Sequence, residues 1–222
     1  MTILAFDFSA PHRSVAVWRG PGHAPIEVTD PTGGRSLRPL GMIAEALDGA
    51  RVAREEIGII ATGLGPGSYT GIRVGLAVAQ GWQLAREVRL LGMGTAEVIA
   101  AGLAGEGVTG AIQVVVDAQR GEFYLAGFAL AAGLARATAP LRLATRAKVE
   151  ACADAGELLA GPEVTRWFPA GRLAVPRAAV LARLAWGRED VVSGEHLEPI
   201  YLRETAFVKA PPPRLVPPLP RA

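Results

Sequence analysis

Cysteine is nearly missing from this chain. Cys152 is the only one in 222 residues, so no internal disulfide can form, and its place in a predicted helix favours a packing role. Lysine is almost as scarce, with Lys148 and Lys209 alone. The arginines that carry the pI to about 9.0 are scattered, at a net charge of only +2. No basic stripe therefore advertises nucleic-acid binding by this chain itself. A partner that contacts nucleic acid stays compatible. Histidine occurs at positions 12, 23 and 196 only, and no two have metal-ligand spacing, which argues against a metallopeptidase or a helix-borne metal site. No stretch gives about 18 uninterrupted apolar residues, so no transmembrane helix is expected. The opening Met1-Thr2-Ile3-Leu4-Ala5-Phe6-Asp7 has no basic leader, so no signal peptide is expected. A cytoplasmic protein without a membrane partner follows as the expectation.

What is present is apolar. Half the residues are hydrophobic and 20% are charged, enough to bury a core in one large domain or two small ones.

The most informative stretch is Gly63-Leu64-Gly65-Pro66-Gly67-Ser68-Tyr69-Thr70-Gly71, which runs on through Gly81. It starts as a turn-dense loop and continues as a helix. Gly65, Pro66 and Gly67 allow backbone shapes that bulkier residues would strain. Thr70 is the expected N-cap. Gly71, Gly75 and Ala79 then recur every four residues, on one helix face. Glycine costs about 1 kcal/mol of helix propensity relative to alanine, so two in one helix indicate a close packing partner. Two readings of the loop stand side by side. It is an anion site at a helix N-terminus, or a tight strand-to-helix turn. It lacks the lysine and Ser/Thr pair of a P-loop and the spacing of a dinucleotide fingerprint.

The wider pattern is α/β. Strands are predicted at Ile3–Phe8, Ser14–Trp18 and Ile26–Thr29, then a helix at Arg35–Leu47, a strand at Ile57–Thr62 and the glycine-led helix Thr70–Arg86. Val88–Leu91 and Thr95–Leu103 complete a βββαβαβα order. After Gly105-Glu106-Gly107 the pattern restarts. Ile112–Val116 ends in Asp117, then come the strands Phe123–Phe128 and Leu141–Leu143. Next are the helix Arg146–Ala153 with Thr145 as its cap, and the short strand Leu158–Ala160. A last helix runs from Pro176 to Trp186, with Gly187 as its stop. Asp7 and Asp117 occupy equivalent strand ends, which points to an internal duplication. The expected division is residues 1–105, residues 106–205, and an extended, mobile proline-rich tail at 206–222.

Four blocks carry a resemblance. Ile3-Leu4-Ala5-Phe6-Asp7-Phe8-Ser9, Gly65-Pro66-Gly67-Ser68-Tyr69-Thr70-Gly71-Ile72-Arg73, Asp117-Ala118-Gln119-Arg120-Gly121-Glu122-Phe123-Tyr124 and Pro199-Ile200-Tyr201-Leu202-Arg203 resemble the TsaB (YeaZ) family, in that family's order. The resemblance implies two duplicated domains of the actin-like ATPase and sugar-kinase (ribonuclease H-like) fold, with mixed sheets. It implies a non-catalytic subunit needed to make threonylcarbamoyladenosine beside the tRNA anticodon. The implied partners are a paralogous catalytic transferase and a small ATPase, with tRNA reached through the complex and a homodimer when alone. Older usage calls the family glycoprotease-like.

The resemblance further implies that the helices at 35–47 and 70–86 pack on their counterparts in a four-helix contact. The residues expected to carry it are Arg35, Leu40, Ile43, Gly71, Ile72, Gly75, Leu76 and Ala79. Many relatives have His-Ser where this chain has Arg35-Ser36. The competing reading is an active ATPase or small-molecule kinase, in which Asp7 and Asp117 orient Mg-bound phosphate. Phe8-Ser9-Ala10-Pro11 and Asp117-Ala118-Gln119 lack the glycine run of active members. A degenerate nucleotide site at Asp7, Ser9 and Asp117 is therefore expected, with at most weak ATP or ADP binding at the partner interface. A peptidase built on Ser68, His12 and Asp7 is the third reading and the weakest.

Overall fold

The computed structural model describes residues 1–31 and 38–202. Arg35, the start of the predicted 35–47 helix and the proline-rich tail lie outside the described residues.

The first strand, β1 (Thr2–Asp7), is buried along its whole length. Its side chains alternate between two cores. Leu4 and Phe6 enter one, while Ile3 and Ala5 enter the other. A strand apolar on both faces must sit inside a sheet with layers on each side. It pairs antiparallel with β2 (Arg13–Trp18), which pairs with β3 (Ile26–Asp30). On its other edge lie the parallel strands β4 (Ile57–Gly65) and β5 (Arg89–Gly94). The sheet order is β3-β2-β1-β4-β5. The second sheet repeats it. Here β6 (Gly110–Asp117), β7 (Glu122–Ala131), β8 (Leu134–Thr145), β9 (Leu158–Gly161) and β10 (Arg172–Leu173) run in the order β10-β9-β6-β7-β8. The antiparallel and parallel pairings match strand for strand. The duplication is real, and Asp7 and Asp117 end its two equivalent central strands.

Helices α1 (Pro39–Ala50) and α2 (Tyr69–Ala85) cover one face of the first sheet. α3 (Thr95–Gly105) lies between the sheets and packs on β6, β7 and β8. α4 (Arg146–Asp154) covers the outer face of the second sheet, where Cys152 packs beside its aromatic core. α5 (Ala178–Ala185) returns to the first sheet, against β1 and β2. The halves therefore exchange their last helices. The expected break at residue 105 separates the two sheets but not the two packing units.

The capping explains some differences from sequence expectation. Ser68, not Thr70, caps α2. The Ser68 amide is held by the Ser9 carbonyl at 2.6 Å, and its Oγ accepts from the Gly71 amide at 3.2 Å. Thr145 stands at the start of α4 without a side-chain cap bond. α5 begins at Ala178 rather than at Pro176 because its first amides are capped across the chain. Ser14 Oγ accepts from Ala178 N at 2.8 Å, and Glu27 Oε1 from Ala179 N at 3.0 Å. Gly187, at φ +76°, ends that segment as expected.

Candidate docking face and interlobe cleft

The glycine loop is spent on the chain's own backbone. A Cβ on Gly67 would overlap the Ser9 carbonyl, and one on Gly71 would overlap the Phe8 carbonyl. A Cβ on Gly75 would sit 3.0 Å from Thr62 Oγ1. The loop thus presses α2 onto the β1 end, as the turn reading expects. The Gly71, Gly75, Ala79 stripe faces inward together with Ile72 and Leu76, and all five are buried in the first core. Ile43 is likewise buried on α1. These six, named in the sequence as contact residues, lie buried on the inner side of the two helices. Spacing shows that small residues share a face; it does not show which side that face meets.

The exposed side of the same helix carries a second small stripe. Ala77, Gly81 and Ala85 also recur every four residues, and a Cβ on Gly81 would meet nothing within 4 Å. With Val78, Trp82 and Leu40 they line an apolar groove of about 440 Å³ between α1 and α2. Leu40 is 67% exposed and Leu84 is 91% exposed. Leu40 is thus the expected contact residue that the structure leaves available. Arg86 and Glu55 pair at one rim at 2.9 Å. At the N-terminal end of α2 the face continues into Tyr69 and Arg73. The Arg73 guanidinium lies 4.1 Å above the Tyr69 ring and donates to Tyr201 Oη at 3.1 Å. Sequence reading missed this stripe. Its signal was the second four-residue repeat, offset by two positions from the first and so on the opposite face.

The cleft between the halves holds the strand-end residues. Ser9 and Asp117 line one cavity of about 410 Å³ there, with Ser68 and Gln119. Asp7 is different: it has no exposed surface. Its Oδ1 accepts from the Ser9 amide at 2.8 Å and from Ser9 Oγ at 2.7 Å. With its proton committed to Asp7, Ser9 Oγ accepts from Thr95 Oγ1 at 2.8 Å. Asp7 Oδ2 is buried with no donor among the described residues, and it leaves no room for a Cβ on Gly63. Burial pushes the Asp7 carboxyl above its usual range, opposed in part by the two Ser9 hydrogen bonds. Asp117 Oδ1 accepts from the Gln119 amide at 2.8 Å, in a turn where Gln119, Arg120 and Gly121 all have positive φ. The geometry thus joins Ser9 and Asp117 at one cleft and seals Asp7 beneath it. Ser68 is tied to Gly71 and Asp7 to Ser9, so His12 joins neither in a catalytic triad. Among the described residues, no three His, Cys, Asp or Glu side chains converge as a metal site. No described helix is long and apolar enough to cross a membrane.

A pH effect follows from Asp7. Its folded pKa is raised above the ordinary aspartate value of 3.8. The stability it contributes is therefore complete below that value and is lost as pH rises through the folded one. Asp7→Asn keeps an acceptor for Ser9 and should flatten this limb of the melting profile. Asp7→Ala strands two donors and should cost about 1–3 kcal/mol at every pH. Thermal melting of both variants across about pH 4–8 checks this. A wild-type profile no steeper than that of Asp7→Asn would count against it.

Comparison with known proteins agrees with this architecture. The family model described as TsaD, tRNA N6-adenosine threonylcarbamoyltransferase, matches residues 36–201, most of the 222-residue chain. The tRNA threonylcarbamoyladenosine biosynthesis protein TsaB of Escherichia coli (strain K12) is 33% identical over 129 residues, 58% of this chain and 55% of that protein. The Bacillus subtilis (strain 168) protein of the same name is 28% identical over 140 residues, 63% of this chain and 60% of its own length. The chain thus aligns with little more than half the length of these two relatives. The solved structure of YeaZ from Pseudomonas aeruginosa superimposes with a TM-score of 0.76 at 28% identity, covering 90% of this chain and 99% of that one. Two five-stranded mixed sheets, the family pattern across residues 36–201 and this shared fold lead to one conclusion: the chain belongs to the TsaB/YeaZ family of glycoprotease-like proteins.

Proposed function

We propose that this protein is a non-catalytic subunit of a cytoplasmic complex that builds threonylcarbamoyladenosine on tRNA. It docks a paralogous catalytic transferase through the outer face of α1 and α2. The single observation that carries the docking role is the apolar groove along Leu40, Ala77, Gly81 and Ala85, with exposed Leu84 beside it. Small residues let a partner helix approach closely, and the Tyr69 and Arg73 pair at the end of the face is of the type enriched in binding hot spots. The names of the related proteins support the pathway. A small ATPase subunit completes the assembly, tRNA is reached through the complex, and a second copy of this chain covers the same face when the partner is absent. Any ATP or ADP binding is weak and non-productive. A kinase-like role would need Asp7 at the phosphates, whereas Asp7 is closed off beneath Ser9.

The test is reconstitution of the transfer reaction. Threonylcarbamoyladenosine on tRNA is measured with the catalytic and ATPase subunits, with and without this chain. Product should form at least about ten-fold faster with it, which corresponds to about 1.4 kcal/mol of activation free energy. The chain alone should release no phosphate from Mg-ATP. Equal rates without this chain, or turnover of ATP by it alone that Asp117→Ala removes, would overturn the assignment.

A further inference from the structure

The groove between α1 and α2 has an occupant within reach on the same chain. Its floor is Ile43, Val78 and Trp82, and its wall is the small stripe of α2. The last described residues are fastened at the start of that same helix. Ile200 N donates to the Leu64 carbonyl at 2.9 Å. Tyr201 receives the Arg73 hydrogen bond and packs 6.3 Å from the Tyr69 ring centre. The chain therefore leaves the fold beside Tyr69, at the end of the exposed face.

Twenty residues follow, 203–222, with the sequence Arg-Glu-Thr-Ala-Phe-Val-Lys-Ala-Pro-Pro-Pro-Arg-Leu-Val-Pro-Pro-Leu-Pro-Arg-Ala. From Tyr69 to Gly81 is about 18 Å along the helix axis. Residues 203–210 span up to about 26 Å when extended, so Pro211 can arrive at the near end of the groove. The segment 211–220 adds about 31 Å in a polyproline conformation, more than the length from Ala77 to Arg86. Its six prolines, with Leu215, Val216 and Leu219, are apolar and lose little conformational entropy on docking. Proline-rich segments of this kind settle in grooves that present an aromatic side chain, as Trp82 does here.

We propose that the proline-rich C-terminal segment of this chain folds back into the α1/α2 groove and shields it until a partner or a second copy displaces it. The consequence for partner binding rests on the docking role proposed above; the fold-back itself does not. The segment and the partner then compete for one face, so the segment sets the concentration at which either assembly forms.

Disulfide trapping in the full-length chain tests this without any partner. In a Cys152→Ser background, Ala85→Cys is combined with Val216→Cys. A second protein pairs Val216→Cys with Leu134→Cys, at an exposed position in the other half. Under mild oxidation in dilute protein, the groove pair should close as a cross-linked monomer at least ten-fold faster than the distant pair. Adding Gly81→Arg should remove that advantage, while melting temperatures confirm that each variant is folded. Equal rates for the two pairs, or cross-linked dimers alone, would overturn the fold-back. Because no transferase is present, failure here leaves the docking role standing, and failure of the transfer assay leaves the fold-back standing.

Discussion

Gly71→Ala should lower the melting temperature by about 2–12 °C, although it adds one methyl group at a position of good helical geometry. The new Cβ would overlap the Phe8 carbonyl oxygen. A side chain could rotate away from such a contact, but this is backbone. That carbonyl belongs to the turn leaving β1, the central strand of the first sheet. Relief requires α2 to lift from the sheet or the β1 turn to move, and either change disturbs the Ser68–Ser9 hydrogen bond of 2.6 Å. Overpacking of this kind costs about 1–3 kcal/mol and sometimes more. For a chain of this size each kcal/mol is worth about 2–4 °C. Gly81→Ala is the internal control. It meets nothing within 4 Å, and it gains about 1 kcal/mol of helix propensity, so its melting temperature should rise by about 2–4 °C. If Gly71→Ala melted within about 2 °C of the parent, the close approach would not be what fixes glycine there.

The contrast between these two glycines shows what the sequence could and could not convey. The burial of β1 on both faces was legible because Ile3, Leu4, Ala5 and Phe6 are all apolar, which only an interior strand tolerates. The duplication was legible because Asp7 and Asp117 each close such a strand ahead of a hairpin, and the two sheets do share one strand order. The short β10 was not predicted. Two residues carry no periodicity, and Arg172 and Leu173 are both exposed.

The exchange of α3 and α5 between the sheets was hidden for a different reason. Ala178, Leu181, Ala182 and Ala185 form a clean apolar stripe. A stripe reports that a helix is covered; it does not name the sheet that covers it. The caps from Ser14 and Glu27 decide that, and they lie more than 150 residues earlier in the chain. The same limit hid which face of α2 is exposed. α2 has two small stripes, and glycine content drew attention to the one that packs inward. The burial of Asp7 was half legible. An aspartate followed two residues later by serine is poised to accept from that serine's amide and hydroxyl, as found. Its complete enclosure depends on Gly63 and Thr95, which arrive from other strands and helices.

Gly81→Arg should abolish pairing with the catalytic paralogue while leaving the fold intact. Gly81 sits at the middle of the outer stripe, between Ala77 and Ala85, in a groove whose lining is mostly apolar beside Arg54, Glu55 and Arg86. In the free chain the new guanidinium projects into water, and arginine suits a helix better than glycine, so melting should hold or rise. In a complex the same group must be desolvated against an apolar partner helix and pushes it outward. Stranding a charge in a packed interface costs about 3–5 kcal/mol. That is about a hundred-fold or more in affinity, at 1.4 kcal/mol for each factor of ten. Gly75→Leu makes the opposite error. It wedges a large side chain between α2 and Thr62 with the ring of Phe8, so it should reduce stability first and pairing only as a consequence. Size-exclusion co-elution and calorimetric titration against the catalytic subunit separate the two, alongside melting of each variant. Gly81→Arg binding at parental affinity would remove the outer face of α2 from the interface. The same affinity for a folded, unshifted Gly75→Leu would show that the inner stripe has more room than its contacts with Thr62, Phe6 and Phe8 allow.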